Sequence, residues 1–301
     1  MNKYTIGLDI GGTKIAAGAV DSHGKIIKKI TLPTEAHRGK KIILKNVLTA
    51  ASKVWLPGTG AIGLAMAGQC DFKNGIFVSG PNFPKNFRNV NIGKFLKENF
   101  RVPVYLDNDA RAFTLAESVY GAGRGFKNIL GITLGTGIGG GIVIDGKILR
   151  GKNNTAGELG HMTLDASSFY RCGCGQFGHF EALASGTALE NFYKKFSGKF
   201  FPGREIAKKI LAKEKNAKQA VAQLGKFLGL GLANLAQLLN PDIIVVGGGA
   251  SITPTLWPAA LREFKKRVIY KSLQKTKIVK AKLGGDAGII GATLLTKSKL
   301  S

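Results

Sequence analysis

The chain has 301 residues, 44% of them hydrophobic, which suits a globular protein with one large or two modest domains. Its 44 basic and 18 acidic residues give a net charge of +26, which raises nucleic acid or another polyanion as a partner. The basic residues are dispersed, as at Lys28-Lys29, Lys208-Lys209 and Lys265-Lys266-Arg267, with no interleaved aromatic stripe, so a solvated lysine-rich surface is the better account and nucleic acid is disfavoured. No apolar run approaches a membrane span and no signal peptide precedes the first strand; three cysteines without such a segment fit a reducing cytoplasm.

The chain opens with a short apolar strand from Thr5 to Leu8, then Asp9-Ile10-Gly11-Gly12-Thr13-Lys14, then strands Ile15 to Val20 and Lys25 to Thr31 around an Asp21-Ser22-His23-Gly24 turn. This is the pattern of a β-meander. Glycines in its first hairpin allow backbone N–H groups to approach a phosphate, and Asp9 is placed to hold a hydrated Mg²⁺. An ordinary hairpin turn is the plainer reading, and the missing Gly-Lys-Ser/Thr rules out a Walker A loop. Lys40 to Trp55 has helical spacing, Ala61 to Met66 reads as a buried strand, and Ser79-Gly80-Pro81-Asn82-Phe83-Pro84 is a loop in which Asn82 either forms an Asx turn or meets a polar ligand. Ile92 to Phe100 is helical and Val102 to Leu106 is a strand. Asp107-Asn108-Asp109 then opens a helix to about Tyr120. One of the three serves as N-cap; the others point to a ligand at the strand end, with Asp109 the candidate general base.

A flexible connector, Gly121 to Gly125, precedes a second copy of the opening pattern: strand Ile129 to Leu134, a glycine turn over Gly135–Gly141 with Thr136 inside it, strand Ile142 to Ile144, an Asp145-Gly146 turn and strand Lys147 to Leu149. The sequence therefore reads as an internal duplication. Gly135 to Gly140 matches the dinucleotide fingerprint G-x-G-x-x-G, but a strand follows where that fold needs a helix. Further on, Ala217 to Leu239 is a long amphipathic helix, Ile243 to Val246 a buried strand entering Gly247-Gly248-Gly249, Ile278 to Lys280 a last strand, and Ile289 to about Lys297 a closing helix.

Between these, Gly157 to Gly186 concentrates chemistry. His161, Cys172, Cys174 and His179 supply two imidazoles and two thiolates, the ligand set of a closed structural zinc site. Cys-x-Cys alone is a weak signal, and a buried glycine turn is its plain alternative. Glu158 and Glu181 lie three and two residues from the outer ligands, so a metal that pins the loop also pins both acids.

The constellation resembles the ROK family of sugar kinases, of the actin-like, hexokinase-type ATPase fold. The likeness rests on Asp9-Ile-Gly-Gly-Thr-Lys14, Asn108-Asp109, Gly135-Thr136-Gly137, Glu158-Leu-Gly-His161 and Gly247-Gly248-Gly249 in that order. It implies an α/β protein of two duplicated domains around a central cleft: residues 1–120 with the C-terminal helix 289–301, and residues 121–288. It implies ATP-dependent phosphorylation of an aldohexose, glucose first, with N-acetylhexosamine, mannose or fructose as alternatives. Asp109 is then the catalytic base. Asn82, Asn108, Asp109, Glu158, His161 and Glu181 contact the sugar. Asp9, Gly11, Gly12, Thr13, Lys14, Gly135, Thr136, Gly137, Gly247, Gly248 and Gly249 contact ATP and Mg²⁺. His161, Cys172, Cys174 and His179 hold structural Zn²⁺, with His179 standing where the family has a third cysteine. Closure of the domains would exclude water, and a homodimer or higher homo-oligomer is expected. The family also contains sugar-responsive transcription regulators, which carry a preceding helix-turn-helix domain; a first phosphate loop at Asp9 leaves no room for one.

Overall fold

The computed structural model describes residues 3–297. In chain order its strands and helices are β1 (Tyr4–Ile10), β2 (Lys14–Asp21), β3 (Ile26–Pro33), α1 (Lys40–Val54), β4 (Thr59–Met66), β5 (Gln69–Asp71), β6 (Ile76–Ser79), α2 (Ile92–Phe100), β7 (Val104–Asn108) and α3 (Asp109–Val119). There follow β8 (Ile129–Leu134), β9 (Ile138–Ile144), β10 (Lys147–Ile148), α4 (Phe180–Ala184), α5 (Gly186–Ser197), α6 (Gly203–Leu211), α7 (Lys215–Leu239), β11 (Ile243–Gly247), α8 (Leu256–Arg267), β12 (Lys277–Lys280) and α9 (Ala287–Leu294). Residues 1–2 of the expected first domain and 298–301 of its expected closing helix lie outside the described residues.

The duplication is visible in the topology. One five-stranded sheet has the order β3-β2-β1-β4-β7 and the other β10-β9-β8-β11-β12, so corresponding strands occupy corresponding places. β1 pairs antiparallel with β2 and parallel with β4, and β4 pairs parallel with β7. In the second sheet β11 runs parallel to both β8 and β12. The glycine turn of the second copy is shorter than its sequence suggests. β9 begins at Ile138, so Gly139, Gly140 and Gly141 are strand residues, and only Gly135–Gly137 form the connection. Gly141 belongs there because a Cβ would overlap the Thr114 hydroxyl on α3.

By chain contacts there are two compact units: residues 1–127, 141–157 and 281–301, and residues 128–140 and 158–280. This division groups 121–127, 141–157 and 281–288 with the first unit, whereas the boundaries implied by the resemblance place them in the second. In the first unit, α1 covers one face of the sheet with Ile43, Val47, Ala50, Ala51 and Val54, all fully buried at three- and four-residue spacing. They join Ile6, Leu8, Ile10, Ile15, Ile62, Leu64 and Leu106 in one core. The other face is made of small residues. Ala65 packs on Ala112 of α3 and Ala292 of α9, and Ile289 packs on Ala16 and Val20. Gly63 of β4 lets α9 lie directly on the sheet, since a Cβ there would overlap the Ala292 carbonyl. In the second unit α7 forms the spine, burying Val221, Leu224, Leu228, Leu232 and Leu235 along one stripe. It stops at Asn240, which takes a left-handed conformation (φ 41) before Pro241. Among the described residues, no helix is long and apolar enough to cross a membrane.

The contact of α9 with the sheet gives a direct test. Gly63→Ala should cost about 1–3 kcal/mol through overpacking, because helix backbone rather than a mobile side chain meets the new methyl. Urea unfolding measures it; stability equal to wild type would mean that α9 can lift without cost.

Candidate active site

In the first unit the candidate residues gather at the carboxyl ends of β1, β4 and β7. Parallel register aligns Asp9 with Ala65 and Ala65 with Asp107, and in the next row Ile10 with Met66 and Met66 with Asn108. The loop after β1 is closed by a Gly11 N–H bond to the Lys14 carbonyl at 3.0 Å, and the Thr34 hydroxyl donates to the Gly11 carbonyl at 2.6 Å. Gly12 lies against Asn82, where a Cβ would overlap the Asn82 carbonyl. The Asn82 loop is anchored by Phe83 and Phe87, whose rings pack on Phe77 at 4.9 and 5.4 Å between centroids. Exposed Asn82 makes no side-chain hydrogen bond among the described residues, so the Asx turn does not form.

Asn108 is the N-cap of α3. Its Oδ1 accepts from the N–H groups of Ala110 (2.9 Å) and Arg111 (3.2 Å), and its Nδ2 donates to the Gly68 carbonyl at 3.1 Å. One amide hydrogen remains for a ligand. Asp109 opens the helix, half-buried, with Oδ1 accepting from the Ala110 N–H at 2.9 Å. Burial raises the Asp9 carboxyl to about 6; the Asp109 charge adds to the rise and Lys14 opposes it. Two carboxylates near enough to couple, one of them buried, form a place for a cation.

In the second unit Glu181 connects two predicted features. Its Oε2 accepts from the Ile138 N–H at 3.0 Å and lies where a Gly137 Cβ would be, so it holds the Gly135–Gly137 loop. Its Oε1 accepts from the Cys172 thiol at 3.3 Å. The short helix α4 fixes Glu181 because Phe180, fully buried, presses on Gly231 of α7. Gly186 N–H donates to the Gly135 carbonyl at 2.8 Å and tightens the same loop. After β11, Gly248 has φ 89 and abuts the Leu134 carbonyl, both of which require glycine, while Gly249 faces open space.

His161, Cys172, Cys174 and His179 come together, with ligand atoms all within 4.8 Å of one another. Cys172 Sγ is 3.5 Å from His161 Nδ1, and Cys174 Sγ is 3.4 Å from His179 Nδ1. Zinc–sulfur and zinc–nitrogen bonds of about 2.3 and 2.0 Å at tetrahedral angles put the two ligands about 3.5 Å apart. Soft thiolates and imidazoles at that spacing fit zinc. The turn that presents them is built by a Cys172 N–H bond to Gln176 and a Gly175 N–H bond to Cys172, at 2.8 and 2.9 Å. Burial is the main cause pushing the Cys172 thiol up to about 12, with Cys174 and Glu181 side chains adding and a Cys174 backbone bond opposing. The outer ring nitrogen of His161 is 4.0 Å from Glu158, which is exposed.

Three charged residues that shape the first unit were not marked by any motif. Arg111 and Arg150 both bind the buried Asp107 carboxylate, at 2.7 and 2.8 Å. Glu117, also fully buried, accepts from the N–H groups of Ala122, Lys282 and Leu283 at 2.8 to 3.1 Å. The only sequence signal was the rarity of acids in so basic a chain.

The model of the ROK family matches residues 5–299. A glucokinase of Thermotoga maritima is 34% identical, the alignment covering 98% of each chain. The ROK hexokinase of Thermus thermophilus superposes with a TM-score of 0.87 at 36% identity, covering 97% of each chain. A ROK family glucokinase from Streptomyces griseus, solved with glucose and AMPPNP, gives a TM-score of 0.83 at 32% identity, covering 97% of this chain and 98% of that one.

Asp9 makes the site pH-sensitive. A carboxyl whose folded pKa is raised destabilises the fold when ionised, so its contribution is lost as pH rises from the unfolded value of 3.8 through about 6. In metal-free buffer Asp9→Asn should therefore be more stable than wild type at pH 7.5, by up to about 3 kcal/mol, and the gap should shrink toward pH 4.5. Urea titrations of both proteins at the two pH values measure it; a gap independent of pH would show that Asp9 is not strained.

Proposed function

The chain belongs to the ROK family, and on that ground we propose that it transfers the γ-phosphoryl group of ATP to an aldohexose, glucose first, giving glucose 6-phosphate. The observation that carries this reading is the grouping of Asp9 and Asp109, at adjacent strand ends, with the exposed Asn82, whose backbone lies beside Gly12. Asp109 accepts the proton of the attacking sugar hydroxyl, O6, as its oxygen bonds to the γ-phosphorus and ADP leaves. Asn82 and the remaining N–H of Asn108 orient the sugar, and Glu158, His161 and Glu181 accept or donate to its other hydroxyls. Backbone N–H groups of Gly11–Thr13, the side chain of Lys14 and the Gly135–Gly137 loop offset phosphate charge, and Gly247–Gly249 offer a side-chain-free surface to the adenosine. Mg²⁺ entering with the nucleotide supplies charge neutralisation, for which the ionised Asp9 is the acceptor.

Zinc held by His161, Cys172, Cys174 and His179 would keep Cys172 a thiolate, which cannot donate to Glu181 and so leaves Oε1 for a sugar hydroxyl. The metal is thus structural, and its effect on chemistry runs through the placement of one carboxylate. The main alternatives are N-acetylhexosamine, mannose or fructose as acceptor, since the motifs common to these kinases do not separate them. A sugar-responsive regulator has only the +26 charge in its favour.

A panel of hexoses and N-acetylhexosamines with ATP, and with polyphosphate as a second donor, tests the acceptor. Glucose should give the highest kcat/KM, and inactivity on every sugar would remove the kinase reading. Asp109→Asn should still bind sugar while kcat drops ~10²–10⁴-fold. Near-wild-type turnover would eliminate it as the base. Metal analysis should find about one zinc per chain, lost in Cys172→Ser together with a raised sugar KM, and retained in Cys70→Ser. A zinc-free active protein would sink the proposed metal role.

A further inference from the structure

A buried charge cluster stands directly behind the proposed base. Asp107 is fully buried, and two guanidinium groups from distant parts of the chain converge on it. Arg111 Nε donates to Oδ1 at 2.7 Å and Arg150 Nε to Oδ2 at 2.8 Å. Oδ1 also accepts the N–H of Asn108 at 2.8 Å, so the same carboxylate grips the backbone one residue before Asp109. Arg111 then reaches outward. Its Nη1 donates to the carbonyls of Asn154 and Ala156 at 2.9 and 3.1 Å. Asn154 is held a second time, its Nδ2 donating to the Cys70 carbonyl at 3.3 Å, and its backbone is left-handed (φ 56). The Arg150 guanidinium lies on the Phe72 ring at 3.7 Å.

Stability does not explain this cluster. Asp107 and Arg111 are fully buried and Arg150 partly so, and among the described residues Arg111 Nη2 is buried with no hydrogen-bond partner. Desolvated charges in such a setting cost more than an apolar replacement of similar shape. What the cluster does provide is a fixed relation between two pieces of main chain. One is the end of β7 with Asn108 and Asp109; the other is the segment 150–157, which runs by covalent bond into Glu158. The Arg111 side chain joins the Asp107 carboxylate at the end of β7 to the carbonyls of Asn154 and Ala156.

We infer that Arg111 is a positioning residue for the sugar site, with Asp107 and Arg150 as its supports: it sets the segment 154–156 against the start of α3, and so fixes where Asp109 and the chain entering Glu158 present themselves. This rests on the reading of Asp109 as base and Glu158 as a sugar contact. A rigid fork with one bond to the Asp107 carboxylate and two to the carbonyls of Asn154 and Ala156 is a task for arginine, and lysine cannot reproduce it. The hydrogen bonds of the Arg111 side chain go to Asp107, Asn154 and Ala156, and none among the described residues goes to the glycine loops proposed for ATP, so the sugar side alone should respond.

Steady-state kinetics of the full chain, varying glucose and ATP separately, tests this with wild type, Arg111→Met and Arg111→Lys, each also followed by thermal melting. Arg111→Met should raise the glucose KM at least ~10-fold and lower kcat ~10-fold or more, with the ATP KM within ~2-fold, because small misplacements of reacting groups are costly. Arg111→Lys should fall between the two. A role in folding alone would lower the melting temperature and the active fraction with both KM values unchanged, and that result overturns the inference. Should Arg111→Met be insoluble, Arg111→Lys decides: a glucose KM equal to wild type overturns it, and a raised glucose KM at constant ATP KM supports it. Wild type inactive on every hexose would overturn the underlying function, a result distinct from an active wild type indifferent to Arg111.

Discussion

Parallel pairing of β1, β4 and β7 is the constraint from which the first unit's chemistry follows. It places Asp9 and Asp107 at the two ends of one row, with Ala65 between them. Side chains in register on neighbouring parallel strands share a face, so both carboxylates are carried to the face that α3 and α9 cover. Their fates differ. Asp107 is neutralised by protein, through two arginines. Asp9 is left with burial and a neighbouring like charge, and its carboxyl rises to about 6. One end of the row is a finished joint and the other carries a carboxyl held above its ordinary range.

Acids in this chain are few, and three of them hold main chain in place. Asp107, Glu117 and Glu181 each bind main-chain N–H groups, at Asn108, at Ala122, Lys282 and Leu283, and at Ile138. A carboxylate accepting backbone N–H bonds is a strong, directional tie, stronger than the neutral bonds of an ordinary turn. Each of these ties fixes a connection rather than an element: the start of α3, the return into residues 281–283, and the opening of β9. The +26 charge thus has a structural counterpart. With 18 acids against 44 basic residues, the lysines at the surface have few partners, and the exposed ion pairs that do form, such as Lys94 with Glu98 at 3.8 Å, contribute little.

Strand patterns and the duplication were legible because alternation and turn residues are local signals, and both sheets repeat one order. The metal-type cluster was legible because cysteine and histidine advertise their chemistry whatever the fold. The start of β9 was misplaced because Gly139–Gly141 look like a turn, and only the packing of Gly141 on Thr114 explains their place in a strand. Asn82 could be narrowed only by seeing that its amide forms no Asx turn. Arg111 and Arg150 were invisible in principle. A guanidinium within a helix reads as a solvated face, and the carboxylate that binds Arg150 is 43 residues away in sequence.

The placement of α9 has a consequence for how the chain acquires its structure as it is made. The sheet of the first unit presents Ala16, Gly63 and Ala65 to a helix formed by residues 287–294, which are synthesised after the whole of the second unit. Until then that face of the sheet has only α3 as cover, and the Glu117 carboxylate lacks the Lys282 and Leu283 amides that satisfy it. Domains usually fold in the order in which they emerge from the ribosome. Here the order is inverted. The unit that begins first is completed last, and a ribosome paused before residue 282 holds a chain whose second unit has all its residues while its first still exposes apolar sheet.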